Sequence, residues 1–112
     1  MKNKDKWVSS KYIYENKRLT SSKDPKEVSI SSRLVAGITA SYYEYYIPKY
    51  VRGKLIDLGC GKVPLYETYK GFVTDNICID WPNTLHKNMF LDYEYDITKG
   101  LPFENETFDT II

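Results

Sequence analysis

An α/β layered fold built on a parallel sheet is the class this 112-residue chain predicts, and three observations predict it. Short apolar stretches of strand length alternate with polar connectors from Lys54 onward. The first of them runs straight into two glycines, and the next two end in carboxylates. A stretch with helical periodicity lies ahead of the first strand.

Residues Met1 to Lys26 are rich in Lys, Ser and Asn, with apolar side chains at Trp7, Val8, Tyr12, Ile13, Tyr14 and Leu19. This composition predicts an irregular arm, residues 1–31, that packs through a few aromatics, followed by a folded domain over residues 32–112. Pro25 closes the polar stretch, and Ser29, Ser31 and Ser32 are candidate N-caps for a helix running to about Tyr46, with Pro48 as its stop. Leu34, Ile38, Tyr42 and Tyr45 recur at helical spacing and define the expected packing face, whereas Thr39, Ser41 and Glu44 fall elsewhere. Four strands follow: Lys54 to Leu58, Asn76 to Asp80, a weaker one from Phe90 to Tyr95, and Thr107 to Ile112. Neither an internal repeat nor a low-complexity tract interrupts them.

Composition narrows the class of partner. With 16 basic and 15 acidic side chains the formal net charge is +1, so no strong field draws in nucleic acid or an anionic membrane. Apolar residues make up 42% of the chain, an ordinary globular share, yet no run approaches the roughly 20 residues that span a bilayer. Cys60 and Cys78 do not form a zinc-knuckle pattern, and no secretory signal precedes them, so a cytoplasmic protein with reduced thiols is expected. Eleven tyrosines require a core or a partner for their rings.

The segment Leu55-Ile56-Asp57-Leu58-Gly59-Cys60-Gly61 is the most informative. A buried strand that delivers two glycines at its carboxyl end turns sharply and opens its main-chain N–H groups to a ligand. In an open α/β sheet that crevice is the expected binding place. Asp57 bears on the ligand's charge, because a pyrophosphate brought to this turn would meet a carboxylate, whereas an ammonium would gain charge-assisted hydrogen bonds. The dinucleotide fingerprint also requires a third glycine where Pro64 stands; proline suits the first turn of a helix, so a strand-to-helix step is still expected.

Asp80 ends the second strand, where a carboxylate either accepts the two ribose hydroxyls of an adenosine or caps a turn. Trp81 lays its ring beside an adenine or covers the sheet edge. Asp96, after the third strand, accepts an adenine amino group with the Ile97 backbone nearby, or caps the turn ahead of Gly100-Leu101-Pro102. His86, the single histidine, has no ligand cluster around it in the sequence, so no metal site is expected, and no catalytic acid–base or nucleophile set can be assembled.

These residues resemble the class I S-adenosylmethionine-dependent methyltransferases, and within them the type 11 methyltransferase-domain proteins. The resemblance runs from Gly53 to Ile112 and rests on Leu55 to Gly61, on Ile79-Asp80, and on Asp96 followed by Leu101-Pro102-Phe103 and Phe108-Asp109-Thr110-Ile111-Ile112. It implies a Rossmann-like methyltransferase sheet with an N-terminal helix, ending after the fourth strand, and S-adenosylmethionine as cofactor. It further implies that Asp57, Gly59 and Gly61 meet the methionine end, Asp80 the ribose, and Asp96 with Ile97 the adenine. Cys60, between the glycines, and Trp81 complete the expected binding set. The implied reaction is methyl transfer to an unidentified acceptor.

Two departures stand out. Val63 occupies a position where many members carry a further glycine, and the family's substrate-shaping segments after the fourth strand are not in these 112 residues. By itself the chain is therefore expected to be inactive and to self-associate through an exposed fourth strand. The rival readings are a non-catalytic truncated fragment or interaction module and, less favoured by Asp57 and Pro64, a dinucleotide-dependent oxidoreductase.

Overall fold

The computed structural model describes residues 1–82 and 88–112. His86 lies outside the described residues, with Asn83, Thr84, Leu85 and Lys87. Two compact units divide the chain: Val8–Tyr50 with Pro64–Gly71, and Met1–Trp7 with Val51–Val63 and Phe72–Ile112.

In the first of these units, part of the expected irregular arm folds into a hairpin. Strand β1 (Tyr12–Glu15) pairs antiparallel with β2 (Arg18–Ser21), Tyr12 opposite Ser21 and Glu15 opposite Arg18. The connecting Asn16 and Lys17 both take positive φ, +51° and +64°, which is the mirror-image turn whose twist matches that of a hairpin. Asn-Lys is a weaker hairpin signal than Asn-Gly, so the sequence did not announce the turn.

Helix α1 (Arg33–Tyr50) begins after a short 3-10 turn at Ile30–Ser32 and runs past Pro48, which was expected to stop it. The proline forfeits only the bond to the Glu44 carbonyl, and the last turn is anchored by Ile47, 4% exposed. The packing face also differs from expectation. Ala36, Ala40 and Ile47 are buried, while Leu34, Ile38, Tyr42 and Tyr45 are exposed. Small alanines let the hairpin approach closely, and Tyr12, Leu19, Val28, Ala36 and Ala40 form a core flanked by Tyr43 and Leu65. Tyr12 and Tyr43 meet edge to face at 5.5 Å. Pro64, expected in the first turn of a helix, instead precedes helix α2 (Tyr66–Tyr69), which has Leu65 at its N-cap and is only one turn long, with Tyr69 wholly buried.

Glu44 locks the hairpin to α1. Its carboxylate accepts the Leu19 N–H at 2.9 Å and the Arg18 Nε–H at 2.8 Å. The backbone bond from Leu19, followed by the Arg18 guanidinium, holds the Glu44 carboxyl below its ordinary range against the opposing effect of desolvation. A depressed folded-state value means that the contribution is present above the unfolded carboxyl range of about 4.3 and is lost as pH falls through the lower folded value. Glu44→Gln should therefore lower the melting temperature near pH ~7, and the gap to the wild type should close in strong acid. Melting curves with the same gap at both pH values would contradict this role.

The other unit is a four-stranded, all-parallel sheet, as the sequence led us to expect. Strands β3 (Gly53–Leu58), β4 (Val73–Asp80), β5 (Tyr93–Glu94) and β6 (Thr110–Ile111) stand in the order β5-β4-β3-β6. Leu55, Ile56 and Asp57 are buried in succession, as are Cys78 and Ile79, the unbroken burial expected of interior parallel strands. The two outer strands are shorter than expected, and at the approach to each a side chain takes the place of a ladder acceptor. Asp92 Oδ2 accepts the Cys78 N–H at 2.8 Å ahead of β5, and Asp109 Oδ2 accepts the Lys54 N–H at 2.8 Å ahead of β6. Strand β6 is an edge of the sheet, with Ile111 64% exposed.

Candidate functional site

The carboxyl ends of β3 and β4 meet at one carboxylate. Gly59 and Gly61 take φ of +71° and +50°, and an added Cβ would meet nothing within 4 Å at either. Conformation, not space, is what requires glycine here. Ile79 O accepts both the Gly59 and Cys60 N–H groups, at 2.8 and 3.2 Å. Asp80 Oδ2 accepts the Gly61 N–H at 2.9 Å, and Oδ1 accepts the Trp81 N–H at 2.8 Å. Asp80 thereby ties the glycine turn to the end of β4 while its carboxylate keeps further lone pairs for a ligand.

This arrangement corrects one expectation about the loop. Its amides were expected to face a ligand, yet those of Gly59, Cys60 and Gly61 are all bonded to β4. What the turn presents in place of donors is acceptor chemistry, the further lone pairs of the Asp80 carboxylate with the Asp57 carboxylate close by in the strand. A phosphate needs donors, whereas ammonium and hydroxyl groups need acceptors.

Val63 closes the turn by donating its N–H to Cys60 O at 2.8 Å. It does so at φ +53° with its side chain wholly buried. A β-branched residue in the left-handed region carries strain of about 1–3 kcal/mol, which its burial and the Trp7 Nε1–H bond to its carbonyl, 3.0 Å, over-determine.

Asp57, 7% exposed, stands in register with Cys78. Cys60 and Cys78, remote in sequence, are brought together: a hydrogen bond to Cys78, then burial, then the charges of Cys78, Asp57 and Asp80 push the Cys60 thiol far up. Cys60, 3% exposed, packs within the turn, where these neighbours disfavour its thiolate. Asn88 was not foreseen. Its Nδ2 donates to Gly61 O and reaches Cys60 Sγ at 4.0 Å, buttressing the loop. Only its place just ahead of the third apolar stretch could have drawn attention to it.

Asp96 and Ile97 follow β5 on the same edge of the sheet, where Tyr95 N–H donates to Asp80 O at 2.9 Å. Of its two readings, Asp96 fulfils the cap: Oδ1 accepts the Thr98 N–H at 3.1 Å and the Thr98 hydroxyl at 2.6 Å, holding the 3-10 turn Ile97–Lys99. Trp81 and Ile97 are 45% and 43% exposed. The site thus gathers Asp57, Gly59, Cys60, Gly61, Asp80 and Trp81 at two adjoining strand ends, with Asp96 and Ile97 beyond the third.

Away from this turn, a cleft of about 430 Å³ is lined by Met1, Lys4, Asp75, Asp92 and Tyr93 among others. Among the described residues no group of three or more His, Cys, Asp or Glu side chains could hold a metal ion, and no helix is long and apolar enough to cross a membrane. No family model, curated protein or solved structure matches the chain.

Proposed function

We propose that these residues form the cofactor-binding part of a Rossmann-like, S-adenosylmethionine-dependent methyltransferase acting in the cytoplasm. One observation carries the reading: the amides of Gly59, Cys60 and Gly61 are consumed by β4, which leaves a turn of acceptors flanked by Asp57 and Asp80. Such a turn suits an ammonium and a ribose diol and disfavours the pyrophosphate of a dinucleotide.

In this reading Asp57 draws the amino-acid end of the cofactor to the close of β3. Asp80, held rigid by two backbone N–H groups, accepts the ribose hydroxyls, and the exposed Trp81 ring lies alongside the base. Asp96 orders the Ile97 backbone that borders the adenine. When bound, S-adenosylmethionine supplies a methyl group already activated by the sulfonium charge, so the chain's part is positioning. The acceptor is a nucleophilic O, N or C atom.

Titration calorimetry with the Asp57→Asn variant tests the sign of the ligand charge. S-adenosylmethionine and S-adenosylhomocysteine should both lose about 1.5–3 kcal/mol, roughly 10- to 150-fold, since both carry the ammonium. Adenosine, which lacks it, should bind as to the wild type. Equal losses for all three ligands would assign Asp57 a structural role, and no binding of any of them to the wild type would leave an interaction module.

A further inference from the structure

Apolar residues line both sides of α1, and only one side is covered. Leu34, Ile38, Tyr42, Tyr45, Tyr46 and Tyr50 remain between 45% and 74% exposed, in a row that starts opposite Ala36, Ala40 and Ile47 and winds toward their side by the last turn. Five of the six follow steps of four residues and so form one continuous ridge along the helix. Apolar side chains on two sides of one helix ask for a cover on each. The ridge is also ordered before any partner arrives. Tyr42 stacks on Tyr46 at 6.2 Å and Tyr46 on Tyr50 at 6.0 Å, while Tyr45 meets Tyr46 edge-on at 5.0 Å.

Area and charge together select the occupant. At about 200 Å² for a fully exposed side chain of this size, the six contribute roughly 700 Å². That exceeds the few hundred Å² a monomer usually leaves bare and approaches the ~800 Å² each partner contributes to a stable dimer. No carboxylate stands on the ridge, and its one cation, Lys49, lies over the Tyr45 ring at 3.4 Å. Little is left there for phosphates, acidic peptides or anionic lipid. A period-four ridge is, in contrast, complementary to itself: two such ridges interdigitate with the helices crossing at about 50°, and a two-fold axis presents the same ridge from both sides.

We propose that this ridge of α1 is a homodimer interface, covered by the α1 ridge of a second copy of the chain. It is a different surface from the β6 sheet edge and does not depend on the cofactor reading. Sedimentation velocity over a concentration series should show a monomer–dimer equilibrium. Ile38→Glu with Tyr42→Glu should raise its dissociation constant about 100-fold or more, because charges at the centre of an interface are the most disruptive. Ile111→Lys, at the sheet edge, should leave it unchanged. Should the double variant fail to fold, Ser41→Cys decides, since Ser41 is exposed beside the ridge and Cys60 and Cys78 are buried. A short bis-maleimide should link two copies through that position. A wild type that stays monomeric, a dimer that dissolves with Ile111→Lys alone, a Ser41→Cys chain that does not cross-link, or a monomer that pellets with phosphatidylcholine vesicles would each overturn the proposal, the last assigning the ridge to lipid.

Discussion

Asp80→Ala is expected to weaken S-adenosylmethionine binding by about 1.5–3 kcal/mol, roughly 10- to 150-fold, the worth of hydrogen bonds to a charged group. The loss has two sources that the geometry separates. The ribose hydroxyls lose their acceptor, and the Gly61 and Trp81 N–H groups, 2.9 and 2.8 Å from the carboxylate, lose theirs. Releasing Gly61 also loosens the turn and restores donor character to it. The variant should therefore lose affinity for the cofactor and for adenosine together, unlike Asp57→Asn. Asp80→Asn, which keeps one acceptor oxygen, should fall between. Calorimetry on variants with unchanged far-UV circular dichroism makes the comparison, and an unaltered dissociation constant for Asp80→Ala would remove Asp80 from the site.

Gly53→Ala should be among the most destabilising single changes in the sheet, at about 2–4 kcal/mol. Gly53 opens β3 at φ +64°, and a Cβ there would lie 2.2 Å from Asp109 Oδ2, 2.5 Å from its Cγ and 2.8 Å from its Cβ. The alanine therefore carries left-handed strain and expels the carboxylate that accepts the Lys54 N–H at 2.8 Å. That bond ties β3 to the approach to β6, so the edge strand should loosen first. Chemical denaturation of Gly53→Ala, Asp109→Gly and the double variant separates the terms: the double variant should cost less than the sum of the singles, since the clash is gone. Additive losses would mean that strain alone, without the Asp109 contact, makes Gly53 necessary.

How much of the site could be read in the sequence follows from where each interaction lies along the chain. Asp57, Gly59 and Gly61 belong to one strand and its turn, and the glycines' positive φ is a local demand that spacing can announce. Asp80 was marked by its place at the end of an apolar stretch. Its bond to Gly61 joins the two strand ends, and only the pairing of β3 with β4 makes that contact. The same pairing turns the Gly59 and Cys60 amides inward, which reversed the expected polarity of the loop. Asn88 beneath the turn belongs to no spacing at all.

What the sequence by itself determined was the set of parallel strands, the glycine turn and the acidic strand ends, because period, apolar run length and glycine conformation act over a few residues. Only the tertiary structure decided which face of α1 is buried. Both faces are apolar, so periodicity found the tyrosine ridge and took it for the core, whereas close approach of the hairpin required the alanines. It likewise decided that residues 12–21 form a hairpin, since an Asn-Lys turn gains its stability from Leu19 packing and the Glu44 carboxylate rather than from its own residues. The approaches to the outer strands were decided in a related way. Asp92 and Asp109 bond to backbone amides of neighbouring strands, and a side chain that substitutes for a ladder bond leaves no trace in the pattern of apolar and polar residues.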